Sequence, residues 1–258
     1  MNYSTSPKLL IKASSVWTAT RQAFARAAVV VEAGKIAAIL DQEQAESLTA
    51  EHDDMDIVDL PNCVLTPGLF NLHTHLDYSQ APTIEENISL FTWMAQLVAS
   101  TRSWSQDDFA RSAQAGAKSA ALAGTTYLVD SSYSGQAAEA IAQIGLKGLV
   151  GLELFGLDGT LAERIFTHWQ TRYQSLINTA SGALVEAIAS GQVAITIAPH
   201  APYTVAPALW GKAKAWAASQ NLMMTAHLAK TKEEADWIFS ECQVLDDYLR
   251  KVMPTNQN

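Results

Sequence analysis

The 258-residue sequence predicts an α/β fold in which a parallel β-sheet with its helices follows an N-terminal β-rich segment. Before residue 62, short apolar runs are separated by turn residues; after it, apolar runs alternate with helical patterns. Strands buried on both faces that alternate with helices are typical of parallel βα units. With 48% hydrophobic residues, the chain can build a sizeable core. We therefore expect two parts, residues 1–62 and 63–258.

The N-terminal part is expected to consist of strands joined by tight turns. Its apolar runs are PKLLIKAS, RAAVVVEAGKIAAIL and DIVDLPNCVLTPG. Within the second run, Gly34-Lys35 predicts a hairpin turn. The polar stretch EQAESLTAEHDD predicts a loop or a short helix.

The second part is expected to contain five βα units. The five strand-like runs are LTPGLFNLHTHL, GTTYLVDSS, KGLVGLELFG, VAITIAPHAPY and LMMTAHLAK. Helical patterns lie between them; one begins after Ser105 as N-cap, with Asp108 three residues later and Gly124 past its end. The residues after Leu65 are too few for eight comfortable βα units, which need roughly 200 to 250 residues. A five-stranded open sheet fits them.

Composition excludes several classes of function. The chain carries 17 basic and 26 acidic residues, a net charge of −9, so nucleic acids and anionic membranes are not expected partners. The cysteines, Cys63 and Cys242, fit no zinc or disulfide spacing, which predicts reduced, buried thiols in a cytoplasmic protein. The sequence shows no signal-peptide pattern and no run of transmembrane length.

Four of the six histidines fall at the ends of predicted strands. His73 and His75 end the first, His200 follows the fourth, and His227 ends the fifth. Residues two apart on a strand face the same side, so the first pair has the spacing to hold one divalent ion. An H-x-H pair alone is weak support, because two polar residues where a strand meets a loop are common. Four histidines at the carboxyl edge of one sheet, where βα folds place their sites, favour the metal interpretation.

These segments together resemble the amidohydrolase superfamily. LTPGLFNLHTHL, GTTYLVD, APHAPYTVAP and HLAKTKEEA follow the order of its deaminase and chlorohydrolase branch, which includes adenosine-analogue, guanine and aminofutalosine deaminases. The resemblance implies an incomplete TIM-like (β/α) barrel, with the N-terminal strands as part of a small composite β-sandwich. It implies metal-dependent hydrolysis of a non-peptide C–N bond, most simply deamination of a nucleoside-like or heteroaromatic small molecule.

The resemblance also implies roles for individual residues. His73, His75 and His227 would bind one divalent metal ion, for which zinc is expected before iron, and His200 would contact substrate beside it. Phe91, Trp93 and Arg102, in the segment ISLFTWMAQLVASTR, are candidate substrate contacts. Helix packing is the alternative for both aromatic residues, and a solvated helix end is the alternative to an anion contact for Arg102. Glu153 and Tyr203 are further candidates for the pocket wall.

The sequence departs from the family pattern at the expected catalytic carboxylate. The fifth strand of the family reads H-x-x-E, but here Lys230 stands in place of that glutamate. A lysine cannot accept a proton from the nucleophilic water while offsetting the metal's charge, as a carboxylate does. Glu233 and Glu234 lie further along, and nothing in the sequence transfers the role to them. No catalytic residue is therefore assigned, and we expect the chain alone to be inactive.

Two further residues of the family pattern have no counterpart in this sequence. They are a histidine on the sixth strand and a metal-binding aspartate on the eighth. An open sheet has unpaired edges, which invite association. The sequence therefore suggests either a truncated enzyme or a chain whose open edges are covered by another copy of itself or by a partner chain.

Two alternative interpretations make different predictions. A non-catalytic metal-binding or assembly module would bind metal without turnover. A dihydroorotase-like or urease-like site with two metals bridged by a carboxylated lysine would need a lysine at the end of the fourth strand, and ITIAPHAPY contains none.

Overall fold

The computed structural model describes residues 8–52, 55–239 and 243–252 and divides into two compact units, Met1–Gly68 and Leu69–Asn258. The boundary expected at 62/63 falls inside a strand of the first unit. No helix among the described residues is long and apolar enough to cross a membrane.

A four-stranded mixed sheet forms the first unit. Strands β1 (Lys8–Trp17), β2 (Ala23–Glu32), β3 (Lys35–Leu40) and β4 (Asp56–Leu65) lie in the order β3-β2-β1-β4. Strand β1 pairs antiparallel with β2 and parallel with β4. Buried side chains along β1 and β2 form its core.

Two details of this unit differ from the sequence prediction. The hairpin turn between β2 and β3 consists of Ala33 and Gly34, both with positive φ, instead of Gly34-Lys35. Cys63 is a free and exposed thiol, so the expectation that it is buried was wrong. Cys242 lies outside the described residues.

The polar stretch before β4 forms helix α1 (Gln42–Glu51), which begins with a capping box at Asp41.

The second unit contains a parallel sheet of four strands among the described residues. Strands β5 (Leu69–Thr74), β6 (Thr125–Ser132), β7 (Lys147–Leu154) and β8 (Val193–Pro199) follow one another in chain order across the sheet. The α/β class and the parallel arrangement are confirmed. The edge strand β5 exposes the large apolar side chains of Leu69, Phe70 and Leu72. That another polypeptide covers this edge stays a prediction.

Helices connect and flank these strands. The helices are α2 (Leu90–Thr101), α3 (Gln106–Leu122), α4 (Gln136–Ile144), α5 (Ala162–Asn178), α6 (Gly182–Ala189), α7 (Pro207–Ser219), α8 (Lys232–Phe239) and α9 (Gln243–Val252). The capping box predicted at Ser105 and Asp108 begins α3. One face of the sheet packs on the helices through residues such as Leu128, Val150 and Ile195. The other face presents polar groups, including Glu153. Leu152 and Leu154 belong to the helix-facing core, and because side chains alternate along a strand, Glu153 between them points to the opposite face.

The fifth predicted strand does not form. Residues 222–230 form no strand ladder. They lie beside β8 and are attached to it and to the following His200 by single hydrogen bonds. Thr196 Oγ1 donates to the carbonyl of Met223 over 2.6 Å, and the His227 N–H donates to the carbonyl of His200 over 2.9 Å. Gly151 on β7 permits this close approach, because a Cβ there would lie 2.6 Å from Thr225 Oγ1.

We expect Gly151→Ala to lower the free energy of unfolding by about 1–3 kcal/mol, because the added methyl group would push residues 222–230 away from the sheet. Gly182→Ala is the matched control, since a methyl group there would meet no other described segment within 4 Å. Urea unfolding followed by circular dichroism measures both. Equal stability of the two variants would contradict the packing role assigned to Gly151.

Candidate functional site

Three imidazoles meet at the carboxyl edge of the parallel sheet. His73 is the penultimate residue of β5, His75 follows that strand, and His227 lies in the segment beside β8. The ring centroids of each pair lie 4.9–5.0 Å apart, and His75 Nε2 is 3.0 Å from His227 Nε2. One ring nitrogen from each residue lies within 4.8 Å of the other two. The residues that the resemblance selected as ligands therefore lie within reach of one ion.

The carbonyl of His200 orients His227. It accepts hydrogen bonds from both the His227 backbone N–H and its ring Nδ1, each over 2.9 Å. With the proton on Nδ1, the lone pair of Nε2 faces His75. A backbone carbonyl that fixes the tautomer in this way is the usual outer partner of a metal-binding histidine.

The environment keeps these imidazoles neutral. Burial lowers the pKa of His75 to about 3, with further lowering by His227 and His73. Burial, followed by the charge of Lys230, lowers the pKa of His227 to about 4 and also lowers that of His73. Only a neutral imidazole has a lone pair for a metal. The three-histidine group thus fits a divalent ion such as zinc, which accepts three histidine ligands.

Two buried aspartates, missed by the sequence interpretation, hold the segment that carries His75. Asp130, two residues before the end of β6, accepts hydrogen bonds from Thr74 Oγ1 (2.5 Å) and from the Leu76 N–H (2.8 Å). Asp77 accepts hydrogen bonds from the Ser132 hydroxyl and from the backbone and hydroxyl of Ser134. In the sequence, Asp130 directly follows an apolar run, whereas Asp77 follows a single leucine, Leu76, and has no comparable signal.

The fourth strand-end histidine, His200, lies on the other side of His227. Its Nδ1 is 2.8 Å from Thr204 Oγ1, its ring stacks on Phe155 with centroids 4.8 Å apart, and it is buried. Burial lowers its pKa well below the usual value. Glu153, at the end of β7, has an acceptor atom within 4.8 Å of the ring nitrogens of His200 and His227.

Lys230 enters the same region from a turn after His227. Its Nζ lies 3.4 Å from His200 Nε2, and burial lowers the lysine pKa while Glu153 and Glu234 oppose that change. The carboxylate of Glu234, which is fully buried, accepts hydrogen bonds from the backbone N–H groups of Ala229 and Lys230. Glu234 is therefore occupied in holding this turn, where Ala229 has a φ of 56°.

A cavity of about 700 Å³ opens beside Glu153. Two of the candidate substrate contacts, Glu153 and Arg102, line it. The cavity wall also includes Arg172, which the sequence interpretation missed and which donates a hydrogen bond to the Tyr133 carbonyl. Its aromatic wall consists of Tyr78, Trp104, Phe109, Tyr133, Phe155 and Trp169.

The other candidate contacts lie elsewhere. Phe91 is 1% exposed and packs edge-to-face on Tyr203, with centroids 5.3 Å apart, so its role is helix packing. Trp93, two residues later on α2, is about 200° further round the helix and is 37% exposed. The structure does not bring Trp93 to the cavity. Tyr203 is buried against His200, with ring centroids 5.9 Å apart, and its hydroxyl has no hydrogen-bond partner among the described residues.

Fold and site together define an α/β protein with a histidine-rich candidate metal centre at the carboxyl edge of a parallel sheet. The chain belongs to the amidohydrolase family, whose model matches residues 64–249. The resemblance inferred from the sequence is therefore confirmed.

Known proteins with similar sequences or folds are longer. The 5'-deoxyadenosine deaminase of Methanosphaera stadtmanae is 25% identical over 192 residues, which are 71% of this chain and 42% of that protein. Helicobacter pylori aminofutalosine deaminase in complex with methylthio-coformycin is similar with a TM-score of 0.74 at 19% identity, over 96% of this chain and 57% of that one. Atrazine chlorohydrolase from Arthrobacter aurescens TC1, complexed with zinc, is similar with a TM-score of 0.68 at 16% identity, over 93% of this chain and 58% of that one.

These similarities differ in what they establish. The two structural similarities, both below 25% identity, establish the fold alone. The chain spans about half the length of the curated relatives it matches.

We expect Asp130→Asn to change how stability depends on pH. Burial raises the pKa of Asp130 to about 7, above the usual value of about 3.9 in an unfolded chain. The folded protein therefore binds the extra proton between these values, and this contribution to stability is lost as pH rises from about 4 to 7. Relative to wild type, the variant should gain about 1–3 kcal/mol between pH 5 and pH 7, because asparagine does not ionise.

Urea unfolding of both proteins at the two pH values tests this. The comparison with wild type cancels the other titrating groups. An identical pH dependence in the two proteins would show that the Asp130 carboxyl is already ionised at pH 5.

Proposed function

We propose that this chain provides the metal-binding part of a hydrolase that removes an amino group from a nucleoside-like or heteroaromatic small molecule. The observation that carries the proposal is the convergence of His73, His75 and His227, with their pKa values lowered, at the carboxyl edge of the sheet. Family membership supports the reaction class. The 5'-deoxyadenosine deaminase and the aminofutalosine deaminase to which the chain is similar support the substrate class.

The three-histidine site is proposed to bind one divalent metal ion, and zinc is preferred to iron. When bound, such an ion lowers the pKa of a coordinated water and supplies a nucleophile near neutral pH. His73, His75 and His227 would hold it through neutral imidazoles. The zinc complexed with the atrazine chlorohydrolase supports this choice of metal.

The chain's own residues supply binding and orientation. The aromatic wall of the cavity provides stacking surfaces for a planar ring, and its volume of about 700 Å³ falls in the range typical of small-molecule sites. Arg102 and Arg172 offer donors to polar or anionic substituents. Glu153 lines the cavity, and His200 stacks on Phe155 of the cavity wall. Both residues have an atom within 4.8 Å of a ring nitrogen of His227, so they can contact the reacting end of the substrate.

Proton transfer is the weak step in this arrangement. Lys230 occupies the position at which the family resemblance places a glutamate, and Glu234 is held by two backbone N–H groups. We therefore propose that turnover by the chain is slow or absent. A protein that binds the ion without turnover is the second candidate, and Lys230 favours it.

Replacing His73 and His75 together by alanine is expected to weaken zinc binding at least about 100-fold, since removing only an outer partner of a metal ligand already costs about 10–100-fold. Competition with a chromophoric chelator measures the affinity. His52→Ala, a histidine of the other compact unit, is the control and should bind zinc like wild type. Unchanged affinity in the double variant would exclude the three-histidine site.

Lys230→Glu should raise deamination of 5'-deoxyadenosine about 100-fold or more over wild type, because a positioned proton-transfer group contributes roughly 10²–10⁴-fold. Ammonia release by zinc-loaded protein measures this. Lys230→Gln removes the same positive charge without adding a carboxylate and should stay at the wild-type rate. If both variants release ammonia equally with equal zinc content, the role assigned to position 230 is wrong.

A further inference from the structure

Glu153 is a carboxyl group whose environment is incomplete. Its side chain is 3% exposed, and its Oε1 has no hydrogen-bond partner among the described residues. Burial raises its pKa to about 8. A buried carboxyl oxygen without a partner is costly and calls for a ligand, a water molecule or a cation.

Two histidines lie beside this carboxyl group, and each has its Nδ1 in a hydrogen bond with another partner. His200 Nδ1 is engaged by the Thr204 hydroxyl, and His227 Nδ1 is engaged by the His200 carbonyl. Each engagement leaves Nε2 as the nitrogen for a ligand bond. One acceptor atom of Glu153 and one ring nitrogen from each histidine lie within 4.8 Å of one another.

We propose that Glu153, His200 and His227 form a second position for a divalent transition-metal cation, adjacent to the three-histidine position and sharing His227 with it. Two histidines and one glutamate are a zinc-type ligand set. The proposal rests on the proposed function in one respect, the metal affinity of His227. Because the Nε2 of His227 has one lone pair, the two positions exclude each other, and the chain binds one ion in either of them.

Lys230 competes with a cation at this second position. Its Nζ lies 3.4 Å from His200 Nε2, and it is 5.8 Å from the centre of the Tyr203 ring. The turn held by Glu234 brings the lysine to this point. An ammonium group and a metal ion cannot both occupy the space in front of His200 Nε2. The ion is therefore expected to prefer the three-histidine position in the wild-type chain.

Zinc titration against a chromophoric chelator tests the second position in the full chain. With His73 and His75 both replaced by alanine, one zinc per chain should still bind, more weakly than to wild type. Adding Glu153→Gln to that variant should weaken the remaining binding at least about tenfold. Glu153→Gln alone should leave zinc affinity within about threefold of wild type, because the three-histidine position is intact. Circular dichroism confirms that each variant is folded.

The contrary outcomes are distinct. No zinc binding by the folded double variant, or equal binding with and without Glu153→Gln, would overturn the second position. Neither outcome affects the proposed function, which fails instead if the wild-type chain binds no zinc.

The competition by Lys230 has its own readout. In the double variant, Lys230→Met should raise zinc affinity at least about tenfold, since it removes the ammonium group from His200. Lys232→Met is the matched control: it removes the same charge from an exposed side chain that pairs with Asp236. An equal effect of both substitutions would show a general charge effect and would contradict direct competition. Cobalt(II) absorption spectra should shift between wild type and the double variant, because one carboxylate oxygen replaces one imidazole nitrogen in the set of three protein ligands.

Discussion

The candidate site depends on one backbone carbonyl, that of His200. It accepts both the backbone N–H and the ring Nδ1–H of His227, and so attaches residues 222–230 to the end of β8 without a strand ladder. The same bonds fix the His227 tautomer and turn its Nε2 toward His75. Without them, the third imidazole would have no defined relation to the first two, and neither ligand group would exist.

The parts of the fold that could be predicted are those dominated by apolar burial. Strands β6, β7 and β8 coincide with apolar runs, and α3 begins at the capping box that Ser105 and Asp108 predict. The fifth strand was predicted for the same reason and does not form. Its residues Met223 and Leu228 are exposed, so burial on both faces, which defines the pattern, is missing there. The sequence shows the apolar residues but not the neighbours available to cover them.

The candidate site was only partly predictable, for a geometric reason. Strand-end position identified the histidines, because parallel strands end at one edge of the sheet. Asp130 and Asp77 were missed, since their function is to accept hydrogen bonds from a neighbouring loop that sequence spacing does not reveal. Phe91 and Trp93 show the same limit on a helix. Two residues apart, they face different directions, and the positions of Tyr203 and Tyr248, which pack on Phe91, decide which of them is in the core.

The charge balance at the site joins Glu153 to Lys230. Register places Glu153 opposite Ala198, two residues before His200, so the carboxyl group lies beside the imidazole that Lys230 approaches. A family member with glutamate at position 230 would place a second carboxyl group near Glu153, and like charges in a buried site raise each other's pKa. With lysine at position 230, the carboxyl group of Glu153 interacts with an ammonium group instead. Lys230, which stands where the family resemblance places a carboxylate, therefore brings its ammonium group to the space in front of His200 Nε2 that the proposed second metal position requires.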